Sequence, residues 1–272
     1  MRRFPVNLVL GAALAGSVTL VALLSFIWTP YDHAAIAVTN KFASPSFAHW
    51  LGTDQLGRDV VSQLMVAARN SMIVAFVSVV LGGGIGIVLG VYASARGGWV
   101  ENLIMRVSDL SLAFPALLFA IMLAAVFGPS LQNTVIAIAF INIPIFARIS
   151  RGAANQVWTR EFMLAGQAAG MGRMTLTFDH VMPNIAAAII VQATIEFAVA
   201  LLAEAALSYL GLGAQPPAPS WGRMLSDAQT LLYLAPQLAI YPGLCIVISV
   251  LGFGLLGDSI RDLSDPRLRR ER

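Results

Sequence analysis

The chain has 272 residues, of which 58% are apolar and only 11% charged, with a net charge of +3; an ordinary soluble domain carries about 25% charged residues. A soluble enzyme, a disordered regulator, a disulfide-stapled secreted domain and a nucleic-acid-binding module are poor fits to that balance, and an all-α polytopic membrane domain remains. The single cysteine, Cys245, lies in an apolar stretch, so neither an intrachain disulfide nor a cysteine metal cluster can form.

Six charge-poor runs read as transmembrane helices, at 8–28, 72–92, 110–127, 131–147, 185–207 and 236–256. The first follows Arg2 and Arg3 and is too long for a signal-peptide core, so it is expected to stay as a helix. With the N-terminus inside, the inner segments hold Arg2, Arg3, Arg96, Arg106, Arg148, Arg151, Arg160, Arg173, Arg261, Arg267, Arg269, Arg270 and Arg272. The outer segments hold only Lys41, Arg58, Arg69 and Arg223. This bias places both termini in the cytoplasm. Residues 1–70 read as an N-terminal helix with an outer cap, and 71–272 as the main membrane domain.

Three connections exceed simple turns: an outer one over 29–71, an inner one over 148–184 and an outer one over 208–235. Long structured loops act as lids or docking surfaces, so function is sought there. In the second run Gly82, Gly86 and Gly90 recur every four residues and leave one helical face smooth, for packing within the chain or for a subunit interface. Pro115, Pro144 and Pro242 fall inside runs, where each tends to kink a helix.

The inner connection carries Arg160-Glu161-Phe162-Met163-Leu164-Ala165-Gly166-Gln167-Ala168-Ala169-Gly170-Met171-Gly172-Arg173. Its small and apolar residues are unexpected in a water-facing loop. A short helix with Leu164, Ala168 and Met171 at i, i+4 and i+7 would offer an apolar ridge to another protein's groove. In the fifth run only Glu196 and Glu204 interrupt the apolar sequence. A carboxyl in a span is either a functional group or a structural hydrogen-bonding one, and both readings stay open.

The inner connection resembles that of the inner-membrane permeases of binding-protein-dependent ATP-binding-cassette importers. Gly170, nine residues and then His180-Val181-Met182-Pro183 match the spacing of that family's loop, although Leu164-Ala165-Gly166 stands where Glu-Ala-Ala is expected. Trp50-Leu51-Gly52-Thr53-Asp54-Gln55-Leu56-Gly57-Arg58-Asp59, continued by Arg69-Asn70-Ser71, is similar to a signature of the dipeptide, oligopeptide and nickel branch. So is Glu204-Ala205-Ala206-Leu207-Ser208-Tyr209-Leu210-Gly211-Leu212-Gly213 with Pro219-Ser220-Trp221-Gly222. These runs point to the second of that branch's two permease subunits. Taken by themselves, Gly52, Asp54, Gly57 and Asp59 are also ordinary turn formers.

The resemblance implies a type I importer permease with six spans and a cytoplasmic coupling helix between the fourth and fifth. Its expected partners are a second homologous permease, two cytoplasmic ATPase subunits, an extracytoplasmic binding protein and the bilayer of a bacterial-type inner membrane. Leu164, Ala165, Gly166, Gln167, Ala168, Ala169, Gly170, Met171, Gly172 and Arg173 would couple to the ATPases. Gly52, Thr53, Asp54, Gly57, Arg58 and Asp59 would shape the outer cap, and Glu196 and Glu204 are the pathway or gate candidates. The chain has no Gly-x-x-x-x-Gly-Lys-Ser/Thr loop, and its only lysine is Lys41, so ATP and Mg are expected on partner subunits, with no cofactor, metal or catalytic residue here. Peptides are the expected cargo, with nickel or another small solute as the alternative. An ion-coupled secondary transporter using Glu196 or Glu204 is the rival class. An intramembrane hydrolase is weaker, because His33, His49 and His180 all fall outside the spans.

Overall fold

The computed structural model describes residues 6–264, so Arg2, Arg3, Arg267, Arg269, Arg270 and Arg272 lie outside the described residues. Helices α1 (Val6–Leu24), α2 (Val60–Arg96), α5 (Leu131–Trp158) and α10 (Gln237–Ser264) form the bundle together with a rod over Arg173–Tyr209. That rod joins α7 (Arg173–Leu176), one wide π turn (Thr177–Val181) and α8 (Met182–Tyr209). Each is long and apolar enough to cross a membrane.

The expected third span is not one helix. It divides into α3 (Gly98–Ala113) and α4 (Ala116–Phe127), set at 79° to each other. Pro115 has no N–H to donate and forces Phe114 into an extended conformation, which ends α3. On α3, Glu101 accepts from Arg151 Nε at 2.5 Å and Asp109 from Arg148 at 2.5 Å. The two acids are more than two helical turns apart and the two α5 arginines less than one, so α3 crosses α5 obliquely. Pro144 and Pro242, by contrast, sit fully buried inside unbroken helices.

Helix boundaries also depart from the charge-free runs. Helix α1 stops at Leu24, short of 28, its end tightened by Phe26 N–H to Leu23 O and Ile27 N–H to Leu24 O. Helix α2 begins at Val60 rather than 72, because Asp59 caps it there and Val60 to Ala68 are largely covered. Its 37 residues span about 55 Å, well beyond the apolar thickness of a bilayer. The connection over 148–184 is almost wholly helical, with α5 running on to Trp158 and α6 (Glu161–Ala168) following. The connection over 208–235 contains α9 (Trp221–Ala228).

The glycine stripe packs within the chain. A Cβ at Gly82, Gly86 or Gly90 would lie 2.4, 2.4 and 2.2 Å from the carbonyl oxygens of Ala139, Ile143 and Ala147 on α5. Close backbone approach along that line makes α2 and α5 the central pair. Helix α1 uses the same device on α10, where a Cβ at Gly11 would meet Leu256 N at 2.7 Å. Phe146, Leu201, Val74 and Trp221 lie at the centre of the main apolar core.

Candidate functional sites at the two ends of the bundle

At one end the segment before α2 folds into a cap built from side-chain hydrogen bonds. Buried Asp54 accepts from Leu56 N–H (2.8 Å), Arg58 N–H (2.9 Å), Arg58 Nε (2.7 Å) and Gln63 Nε2 (2.9 Å). Buried Asp59 accepts from Ser62 N–H and Ser62 Oγ, each at 2.8 Å, and lies 2.9 Å from His49 Nδ1. Thr53 Oγ1 donates to Asn40 O and accepts from Ala43 N–H, and Thr53 pairs with Asp59 in an isolated bridge. Gly52 and Gly57 have φ of +78° and +76°, and a Cβ on Gly57 would come within 1.8 Å of Ala37 O. All six signature residues thus lie in one compact turn that starts α2.

The same end brings together runs that are far apart in sequence. Glu204 on α8 is fully buried and accepts from Ser208 Oγ at 2.6 Å. The hydroxyls of Ser71 on α2 and Ser220, the N-cap of α9, also face its carboxyl. Glu204 Oε2 and Ser71 Oγ nevertheless make no hydrogen bond at normal distance. Asn70 Nδ2 donates to Pro219 O at 2.7 Å, and Ser208 Oγ accepts from Ala214 N–H at 3.1 Å. Gly222 sits where a Cβ would be 2.0 Å from Ala205 O, so α9 rests directly on α8. Glu196 is buried two turns earlier on α8 and accepts from Gln192 Nε2 at 2.7 Å. The two glutamates therefore occupy separate surroundings.

At the opposite end α6 and α7 form an elbow. Helix α6 ends in a Schellman turn: Gly170 N–H donates to Gln167 O and Met171 N–H to Gly166 O, both at 3.0 Å, with Gly170 at φ +80°. This turn removes Met171 from the helix, so the expected ridge of Leu164, Ala168 and Met171 does not form. Met171 turns inward to an apolar cluster with fully buried Met163, Leu176 and Val181. That cluster also contains Val91 of α2, Ala154 of α5 and Ile185 of α8. The exposed apolar side chains are Phe162 (41% exposed), Leu164 (58%), Met174 (64%) and Phe178 (63%). Met174 and Phe178 are four residues apart on the rod, a helical spacing that sequence reading could have used. Ala165, Gln167, Ala168, Ala169, Gly170, Gly172 and Arg173 are exposed, with Gly166 partly covered. Arg173 donates to Ala95 O at 2.6 Å and Arg96 O at 3.3 Å, closing the carbonyl end of α2.

The elbow thus presents apolar side chains on an anchor shared with three long helices. Residues 82–270 match the model of the family described as binding-protein-dependent transport system inner membrane component. The chain belongs to this family. It is a multi-pass permease subunit of an ATP-binding-cassette importer. The permease is 42% identical over 261 residues to the dipeptide transport system permease protein DppC of Alkalihalophilus pseudofirmus, covering 96% of this chain and 86% of that protein. It is 38% identical over 263 residues to the glutathione transport system permease protein GsiD of Pectobacterium atrosepticum, covering 95% and 87%. The fold is that of the methionine transporter MetNI, with a TM-score of 0.62 at 18% identity over 75% of this permease and 97% of the solved chain.

Proposed function

We propose that this permease forms half of an import pathway for short peptides, with a second homologous permease forming the other half. Of two cytoplasmic ATPase subunits one docks on the elbow and the other on the second permease, a binding protein delivers cargo at the cap, and both termini lie in the cytoplasm. ATP and Mg belong to the ATPases. The observation that carries this reading is the exposed apolar face of α6 and the rod, held on a buried anchor. An ATPase groove closing on Phe162, Leu164, Met174 and Phe178 would push through Met163 and Leu176 on α2, α5 and α8 together. Close packing passes the displacement on, because the anchor has no room to absorb it. The spans then exchange inward-open and outward-open arrangements. The peptide assignment rests on the relatives, whose names give dipeptide and glutathione as cargo.

The test is uptake into proteoliposomes containing both permeases, the ATPases and the binding protein. Labelled dipeptide should accumulate with ATP, and a nickel salt should not. Leu164→Asp combined with Phe178→Asp should leave the permease folded, because both side chains are exposed, yet release the ATPases and abolish uptake. Uptake driven by a proton or sodium gradient without ATP, and lost in Glu196→Gln, would defeat this reading in favour of a secondary transporter. For orientation, a cysteine at exposed Ser46 should react with an impermeant thiol reagent from outside, and one at exposed Thr159 only after permeabilisation. The reverse pattern would invert the topology.

A further inference from the structure

Between α1, α2, α8 and α10 lies an open groove of about 620 Å³, walled by Leu23, Phe76, Val80, Ile190, Ala193 and Phe197. The two threonines in its lining have their hydroxyls engaged, Thr19 with Ala15 O and Thr194 with Val191 O, each within its own helix. Apart from Arg69 and the acceptor lone pairs of those two hydroxyls, a peptide backbone would find no hydrogen-bonding side chain along these walls. The one charged group in the lining is Arg69, at the cap end of the groove. Its guanidinium lies over the Phe26 ring at 5.0 Å and donates to Ser25 O at 3.2 Å. Among the described residues no carboxylate stands within ion-pair distance of it. Arg69 immediately precedes the long apolar run of α2, which is where a membrane-crossing helix meets the headgroup layer.

A strip of hydrocarbon-like wall with a single cation at the headgroup level matches an amphiphile with an anionic head. We propose that this groove binds one phospholipid, whose phosphate pairs with Arg69 and whose acyl chain lies along Phe76, Val80 and Ile190. The guanidinium fork suits phosphate oxygens, and a charge-assisted bond there is stronger than one to a neutral carbonyl. Arg69 adjoins Asn70, whose Nδ2 donates to Pro219 O, so the lipid head would sit beside the contact that ties α2 to the connection before α9.

The experiment is native mass spectrometry of the purified permease and ATPase complex, delipidated and then titrated with phosphatidylglycerol. One tightly held lipid is expected. Arg69→Gln should weaken its binding at least tenfold, and Ala193→Trp, which fills the groove while leaving Arg69 in place, should do the same. Diacylglycerol with the same chains should bind at least tenfold more weakly, and inorganic phosphate should not displace the lipid. Equal lipid affinity in wild type and both variants would overturn the proposal. So would efficient cross-linking of Ile190→Cys to the second permease, in a Cys245→Ser background, because the groove would then be filled by a protein partner.

Discussion

The two ends of the bundle hold their shapes by opposite means. The turn that starts α2 in the cap is held by polar contacts, with Asp54, Asp59 and Thr53 satisfying backbone and side-chain donors, while Phe42 and Leu51 pack on the main core and Ile36, Phe47 and Trp50 stay exposed. The elbow has one buried apolar anchor and leaves four large apolar side chains in the open. A surface built from satisfied hydrogen bonds is complete by itself, whereas exposed apolar area is stabilised only when a partner removes it from water. The buried turn of the cap is therefore self-sufficient, whereas the exposed Phe47 and Trp50 around it, like the four apolar side chains of the elbow, form surface that a partner would cover.

The largest effect expected from breaking this contrast is at the cap. Asp54→Ala removes four hydrogen bonds at once and leaves Arg58 and Gln63 without their acceptor. A loss of about 3 kcal/mol is expected, toward the lower end for a disrupted ion pair because Arg58 is partly exposed. Thermal unfolding of the purified complex should show a clear drop in midpoint, together with loss of binding-protein-stimulated uptake. An unchanged midpoint would mean that the cap is not held by this turn.

At the elbow the matching substitution is Met163→Ala. Truncating a buried methionine costs about 2 kcal/mol where neighbours can close on the cavity, and an elbow tethered at two ends can relax. Uptake should fall further than stability does, because the exposed face would keep its composition but lose its rigid link to α2, α5 and α8. Equal proportional losses in midpoint and uptake would contradict the anchor role.

Much of this organisation was legible in the sequence. Apolar run length located five of the six spans, since crossing a bilayer demands it, whereas the run at 110–127 holds the end of α3 and the short α4. The bend at Pro115 was legible as a proline but not in size, because Pro144 and Pro242 carry the same residue without breaking their helices. What separates them is long-range: α3 is held across α5 by Glu101 and Asp109, whose arginine partners lie some forty to fifty positions away. The earlier start of α2 has a local cause instead. Absence of charge located its lipid-facing part, whereas the Asp59 cap fixes its first residue. The meeting of Ser71, Glu204 and Ser220 depends wholly on long-range packing, and no spacing within one sequence reports it.

That meeting gives a smaller prediction. Glu204→Gln keeps an acceptor for Ser208 and places an amide donor where Oε2 now lacks a partner and Ser71 Oγ is available. It should retain ATP-dependent uptake with little change in midpoint. Glu204→Leu strands the serine hydroxyls instead and should cost about 1 to 2 kcal/mol. Loss of uptake in the glutamine variant, with its midpoint unchanged, would assign the charge itself a role in gating.

The smallest stability effect should come from Gly170→Ala, and Gly57→Ala supplies its control. Both glycines have φ near +80°, so a side chain strains the backbone at either place by about 1 kcal/mol. Their surroundings differ: a Cβ at Gly57 runs into Ala37 O, a backbone atom that cannot turn aside, whereas a Cβ at Gly170 meets nothing within 4 Å. Gly57→Ala should therefore melt the cap and lower the midpoint well beyond the backbone cost, while Gly170→Ala should lower it only slightly. Gly170→Leu separates intrinsic strain from docking. Within the isolated chain its larger side chain has open space, so its midpoint should match that of Gly170→Ala. If the ATPase closes over the Schellman turn, ATP hydrolysis and uptake should part company in the leucine variant alone. Full uptake by Gly170→Leu, with the complex intact, would remove this turn from the coupling surface and leave Phe162, Leu164, Met174 and Phe178 to carry it.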